Sequence, residues 1–169
     1  MKRADERWVR IDLDRQRLRV FEADLCIAEW PVSTAIKGAG ECLGSGCTPR
    51  GVHHVRIKIG SGCPQNSVFV GRRPSGEIYD AELGARCPDR DWILSRVIWL
   101  SGTQSGDNRG GDCDTLRRFI YIHGCPDSEP MGVPLSHGCI RMRNADVIEL
   151  FDLIEAGTRV LINESSSDA

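Results

Sequence analysis

A histidine, a glycine and a cysteine stand together in Ser136-His137-Gly138-Cys139-Ile140-Arg141-Met142, and these are residue types of nucleophilic catalysis. A thiol attacks as its thiolate, and neighbouring cationic or hydrogen-bonding groups bring its pKa towards neutrality. Gly138 has no side chain to obstruct a reacting carbonyl, and it opens positive φ to the backbone. Backbone N–H groups in such a turn can be aimed at an oxyanion. The nucleophile, Cys139, and an oxyanion pocket around Gly138 and Cys139 can therefore share one heptapeptide. A nucleophile of this kind needs a base. His123 follows the apolar run Phe119-Ile120-Tyr121-Ile122, which reads as a buried strand whose rigid end could aim an imidazole. Residues 124–135 are rich in glycine and proline, which is loop chemistry able to return His123 beside Cys139.

With His-Gly, a loop of this length, and then Ser-His-Gly-Cys, an aliphatic residue and Arg141, the chain resembles the L,D-transpeptidase (YkuD-type) catalytic domain. Residues 11–21 are similar to that family's opening hairpin. Trp30-Pro31-Val32-Ser33-Thr34 is similar to one of its strands, and Thr48-Pro49-Arg50-Gly51 to its Thr-Pro-x-Gly turn. The resemblance spans nearly the whole chain. It implies a mainly β fold, a β-sandwich or closed barrel-like sheet with one helix near the carboxyl end. The Cys loop would lie at one end of a groove. It also implies cysteine acyl transfer on peptidoglycan stem peptides or muropeptides, with no metal and no organic cofactor. By the same resemblance His123 is the base. His137 shapes the loop and oxyanion pocket, a structural imidazole being the alternative. Ser136 and Arg141 fall on the substrate-binding side. Ser136 reads as a loop-bracing hydroxyl, and Arg141 either binds a substrate carboxylate bidentately or braces the loop through an internal ion pair.

Two rival readings use the same residues. His123-Gly124-Cys125 and His137-Gly138-Cys139 double a His-x-Cys pattern, four soft ligands in all, but the usual zinc spacings are absent. Cys125 stands where the family commonly has threonine, so it is either a packing substitution or a second thiol able to pair with Cys139 under oxidation. A catalytically idle peptide-binding module is the other rival, and it would need neither His123 nor Cys139.

The 169 residues are expected to form one domain over residues 1–163, with residues 164–169 a polar, disordered tail. A net charge of −2 gives no reason to expect nucleic acid or an anionic membrane surface as partner. The start, Met1-Lys2-Arg3-Ala4-Asp5-Glu6-Arg7, is charged, with no apolar stretch behind it. No segment reaches the length of a membrane span. The expectation is a cytosolic chain, unless an export signal was removed. A cytosolic enzyme meets soluble muropeptides rather than the sacculus, so an L,D-carboxypeptidase that trims terminal D-Ala is expected ahead of a transpeptidase. Eight cysteines are read as mostly reduced thiols, with Cys42 and Cys47 the pair best placed for any bond. Oligomeric state is not legible in the sequence.

The elements that must position these residues follow from periodicity. Residues 8–13 and 17–21 alternate and read as a hairpin, residues 25–34 as a third strand interrupted by Pro31, and residues 52–59 as a strand with His53 and His54 on opposite faces. Residues 67–70 read as a short strand, 72–76 as a basic turn and 80–90 as a polar loop. Residues 92–100 read as one helix or a buried strand, which periodicity alone does not decide; the family resemblance implies strand, and residues 101–112 read as a flexible flap beside the site. Residues 144–156 read as a helix. Asn144 would be its N-cap, Val147, Leu150, Phe151 and Ile154 its apolar stripe, and Gly157 would follow its end. Residues 158–162 close the pattern as a strand.

Overall fold

The computed structural model describes residues 6–165. The expected readings of Met1–Asp5 and of residues 166–169 lie outside the described residues. Ten strands make one sheet: β1 (Arg7–Asp12), β2 (Arg17–Glu22), β3 (Leu25–Pro31), β4 (Gly51–Ile59), β5 (Ser67–Val70), β6 (Arg73–Ile78), β7 (Leu94–Gly102), β8 (Tyr121–Gly124), β9 (Ile140–Met142) and β10 (Arg159–Asn163). Two α-helices, α1 (Ala81–Arg86) and α2 (Asn144–Leu153), accompany it, so the fold is mainly β as expected. The main path runs β3-β2-β1-β10-β4-β7-β5-β6, and β8 branches from β7 and carries β9.

The sheet is not closed, which corrects the barrel-like expectation. Beyond β3 the chain comes beside β9 through a single bridge, Ser33 to Arg141, and no ladder follows. Pro31 supplies no N–H, and the N–H of Val32 turns to the carbonyl of Gln16, 3.0 Å away. The helix count is corrected as well. Asp80 caps α1 by accepting from the N–H of Leu83, within a segment read as loop. The basic turn is in fact β6, a strand exposed along most of its length that pairs with β5.

The core gathers Val9 and Ile11 of β1, Leu18 and Val20 of β2, Ile98 and Leu100 of β7, Ile122 of β8, Ile140 and Met142 of β9, and Val160 and Ile162 of β10. Val147, Leu150, Phe151 and Ile154 of α2 and its C-terminal end close it from the other side. The apolar stripe therefore does what its spacing demanded. Cations satisfy the last helical carbonyls: Lys58 Nζ donates to Ile154 O at 2.7 Å and Arg7 to Leu153 O at 2.8 Å. The helix starts differently from expectation. Arg143 holds the N-cap position without a side-chain bond, and Asn144 is the first helical residue. No helix among the described residues is long and apolar enough to cross a membrane.

Candidate active site

Strand alternation divides β7, β8 and β9 into two faces. Ile98, Ile122, Ile140 and Met142 point into the core. In register on the other face lie Val97 opposite His123, Trp99 opposite Tyr121, and His123 opposite Arg141. Cys139 precedes Arg141 by two residues, so the period of two brings the thiol to the face that carries the imidazole. The packing agrees: Cys139 and Trp99 both lie against the cluster of Phe69, Val97 and Tyr121.

His123 is buried, and its Nδ1 lies 2.7 Å from the carbonyl oxygen of Gly124. A carbonyl only accepts, so Nδ1 carries the proton and Nε2 is the basic nitrogen of the neutral ring. Burial lowers the pKa of His123 and outweighs the Gly124 carbonyl and the Asp91 carboxylate, which raise it; Arg141 lowers it further. Gly124 is required for space. A Cβ there would meet Asn144 Oδ1 and the Leu94 carbonyl oxygen, both at 2.5 Å.

The Cys139 thiol donates to the carbonyl of Phe119 at 3.3 Å and receives the N–H of Tyr121 at 3.4 Å. Burial pushes its pKa up to about 11, against the Tyr121 N–H and the positive charges of Arg141 and Arg118, which pull it down. The resting pair is thus a neutral thiol beside a neutral imidazole. Among the described residues no hydrogen bond joins the two, and catalytic bonds of this sort commonly tighten only when substrate is present.

The turn that carries Cys139 is braced from within. Ser136 is buried, and its hydroxyl donates to the Cys139 carbonyl at 2.6 Å while accepting from Gly138 N–H at 3.2 Å. That hydroxyl is spent inside the turn, which fits bracing and not contact with substrate. Gly138 has φ +132°, and a Cβ there would approach Cys47 O to 3.2 Å. Of the two N–H groups expected at the oxyanion, that of Gly138 is engaged by Ser136. That of Cys139 has no partner among the described residues. His137 is exposed on the turn. Arg141 reaches Asp91 at 3.4 Å, so of its two readings the internal ion pair is the one present, with the Asp91 side chain 59% exposed.

Several residues around the turn carry no motif. Thr48 accepts from Ala35 N–H at 3.0 Å and donates to Gly138 O at 2.9 Å; only its place in Thr-Pro-Arg-Gly hinted at it. Ser33 donates to Val133 O at 2.7 Å and accepts from Leu135 N–H at 3.1 Å, holding the loop that leads to Ser136. Arg118 donates to the carbonyls of Cys47 at 2.6 Å and Gly40 at 3.2 Å. Asn144 donates to Cys125 O at 2.8 Å and Asp127 Oδ1 at 3.1 Å and accepts from Ser95 Oγ at 2.6 Å, which fixes the chain just past His123. The expected flap is pinned near the start of β4: Asn108 donates to Arg50 O and Val52 O, both at 3.1 Å.

Cys125 is buried, and its thiol donates to Met142 O at 3.5 Å. Burial pushes its pKa to about 12. It fills space, while His137 faces solvent, so the doubled His-x-Cys is split between two environments. Among the described residues no group of three or more His, Cys, Asp or Glu is arranged to hold a metal ion. All eight cysteines carry free thiols. His53 is a buried structural histidine between Gly51 O (3.0 Å) and Thr115 Oγ1 (2.9 Å), and burial lowers its pKa to about 4.

Residues 6–162 match the family model for YkuD, the L,D-transpeptidase catalytic domain. The candidate L,D-transpeptidase YkuD of Bacillus licheniformis is 49% identical over 154 residues, 91% of this chain and 64% of its own length. The candidate L,D-transpeptidase YqjB of Bacillus subtilis is 34% identical over 119 residues, 70% of this chain and 53% of its own. The chain thus spans between half and two thirds of these two relatives. Among solved structures, a cysteine-to-serine variant of an Enterococcus faecium L,D-transpeptidase superposes with a TM-score of 0.56 at 18% identity, covering 94% of this chain and 50% of the other. An L,D-transpeptidase from Mycobacterium smegmatis gives 0.54 at 17% identity, over 94% and 58%. At these identities the structures speak for the fold alone.

Proposed function

The chain belongs to the L,D-transpeptidase (YkuD) catalytic-domain family, and from that premise we propose that it is a cysteine acyltransferase acting on peptidoglycan stem peptides, with Cys139 the nucleophile and His123 its base. One observation carries the reading: register and alternation bring the His123 imidazole and the Cys139 thiol to one face of the parallel pair β8 and β9, and the Cys139 N–H has no partner among the described residues. The Cys139 proton passes to His123 Nε2 as Sγ attacks the carbonyl carbon of the third stem residue. The Cys139 N–H receives the developing oxyanion. As the C–N bond breaks, the imidazolium protonates the departing amine of D-Ala, and a thioester remains on Cys139. His137 borders the pocket, and Ser136 keeps the turn in shape.

For the second half-reaction we favour water as acceptor, which makes the protein an L,D-carboxypeptidase that leaves a tripeptide. Cys139 keeps partial exposure and His137 is open to solvent, so the thioester would stand within reach of water. Hydrolysis suits soluble muropeptides, so the proposal carries a cytosolic location with it, which fractionation of expressing cells tests. A side-chain amine as acceptor is the second reading, and the names of the relatives favour it. Incubation with soluble tetrapeptide and, separately, with purified sacculi decides between them. Tripeptide and free D-Ala without dimers are expected. Dimers joined between third-position residues, accumulating faster than tripeptide, would establish the amine as acceptor.

A further inference from the structure

Near the nucleophile stands a cation that no carboxylate among the described residues answers. Arg72 lies in the turn joining β5 to β6, at φ +65°. Its guanidinium sits 4.9 Å from the ring centre of Phe119 and 5.1 Å from that of Trp99, and it donates to the hydroxyl of Tyr121 at 3.2 Å. Among the described residues no Asp or Glu pairs with it, whereas Arg141 has Asp91 and Arg118 has backbone carbonyls. Stacking over two rings holds the fork in place and strips part of its water, which strengthens it towards an incoming anion.

The platform under Arg72 is joined to the reacting sulfur. Trp99 and Tyr121 meet edge to face at 5.7 Å, and Trp99 and Phe119 lie 6.0 Å apart. The Phe119 carbonyl and the Tyr121 N–H are the two groups that hold Cys139 Sγ. Phe119 adopts φ +56°, a costly conformation for a bulky residue, and the residue is 49% exposed. Strain of that kind, kept next to a nucleophile, points to a use for the exposed ring. The Tyr121 oxygen accepts from Arg72, which leaves its own proton to donate. Burial raises the pKa of this phenol, so that proton is retained at neutral pH. An arginine fork and a phenolic O–H, side by side over an aromatic floor, match a carboxylate.

We propose that Arg72 and Tyr121, floored by Trp99 and Phe119, form a carboxylate-binding subsite that holds a free carboxylate of the peptide that acylates Cys139. This rests on the acyl-transfer reading above. Two carboxylates of a stem peptide could fill it: the terminal α-carboxylate of the departing residue, or a side-chain carboxylate on the third residue.

Three synthetic tetrapeptides separate these sources: the free acid, the C-terminal amide, and the peptide amidated on the third residue's side chain. With the intact protein, kcat/KM is expected to fall about tenfold or more on amidation of whichever carboxylate is held. Arg72→Gln should lower kcat/KM on the free acid by a similar factor, leave the matching amide unchanged, and so erase the discrimination. Arg72→Lys should restore part of it. Binding of the same peptides to the Cys139→Ala protein, with and without Arg72→Gln, reads the subsite independently of turnover. An acid preference that vanishes with Arg72→Gln supports the subsite even if no peptide acylates Cys139, an outcome that would overturn the acyl-transfer reading alone. Equal handling of acid and amides by the intact protein, or a preference that survives Arg72→Gln, would overturn the subsite. Failure of Cys139→Ala to bind any of the three peptides would overturn it as well.

Discussion

Cys139 rests as a thiol, and that state sets how the reaction must begin. With burial pushing its pKa up to about 11, the thiol and not the thiolate is the form present at pH 7. His123 is held neutral by burial, so no imidazolium stands ready to stabilise it. Proton transfer then belongs to the attack itself. Alkylation of Cys139 by iodoacetamide, followed on its own peptide by mass spectrometry, should quicken about tenfold per pH unit from pH 7 to 10 without a plateau. A plateau by pH 8 would mean a preformed ion pair. At this scale the nucleophile and base candidates were legible because their chemistry restricts the residue types: Ser-His-Gly-Cys and His-Gly name them. The partners were not legible. Nothing in the sequence says that Arg141 meets Asp91 or that Arg72 lies over Phe119, since both depend on contacts between distant segments, whereas the bracing by Ser136 stays within its own turn and was readable there.

At the scale of elements, the start of α2 does two tasks. Val147, Leu150 and Phe151 anchor it in the core, and Asn144 ties its first turn to β7 and to the chain beyond β8. The sequence suggested an N-cap, because Asn before an apolar stripe is a common helix start. In the fold the amide meets a buried hydroxyl and a buried carbonyl instead, partners that no local pattern announces. Asn144→Ala would leave Cys125 O and Ser95 Oγ each short of a bond, and a buried group so stranded costs about 1–3 kcal/mol. Urea unfolding should therefore show a stability loss of roughly that size or somewhat more. An unchanged midpoint and slope would show that the amide contributes nothing to stability. The alternating strands, residues 8–13, 17–21 and 52–59, were readable because one face of each is buried. β6 was not, because Arg73-Pro-Ser-Gly-Glu-Ile has no face to bury and is held by pairing with β5. α1, six residues long with no buried side chain, leaves no apolar stripe to detect.

On the scale of the whole molecule, an open, branched sheet and one helix enclose a single large core, and β8 and β9 bring the two signature segments together on its outer face. The mainly β class was legible from many short alternating runs. Closure was not, because it turns on whether the chain beyond Pro31 continues a ladder or makes only isolated bridges. Everything proposed for function converges on one covalent species, an acyl-thioester on Cys139 formed with loss of D-Ala. Intact-protein mass spectrometry after rapid acid quench, with soluble tetrapeptide as substrate, looks for it directly. The expected result is a mass gain equal to the tripeptide acyl group. It should map to the Cys139 peptide, be absent from Cys139→Ser, and be strongly reduced by His123→Ala. A gain on Cys125 or any other cysteine, or tripeptide released at the full rate by Cys139→Ala, would contradict Cys139 as the nucleophile.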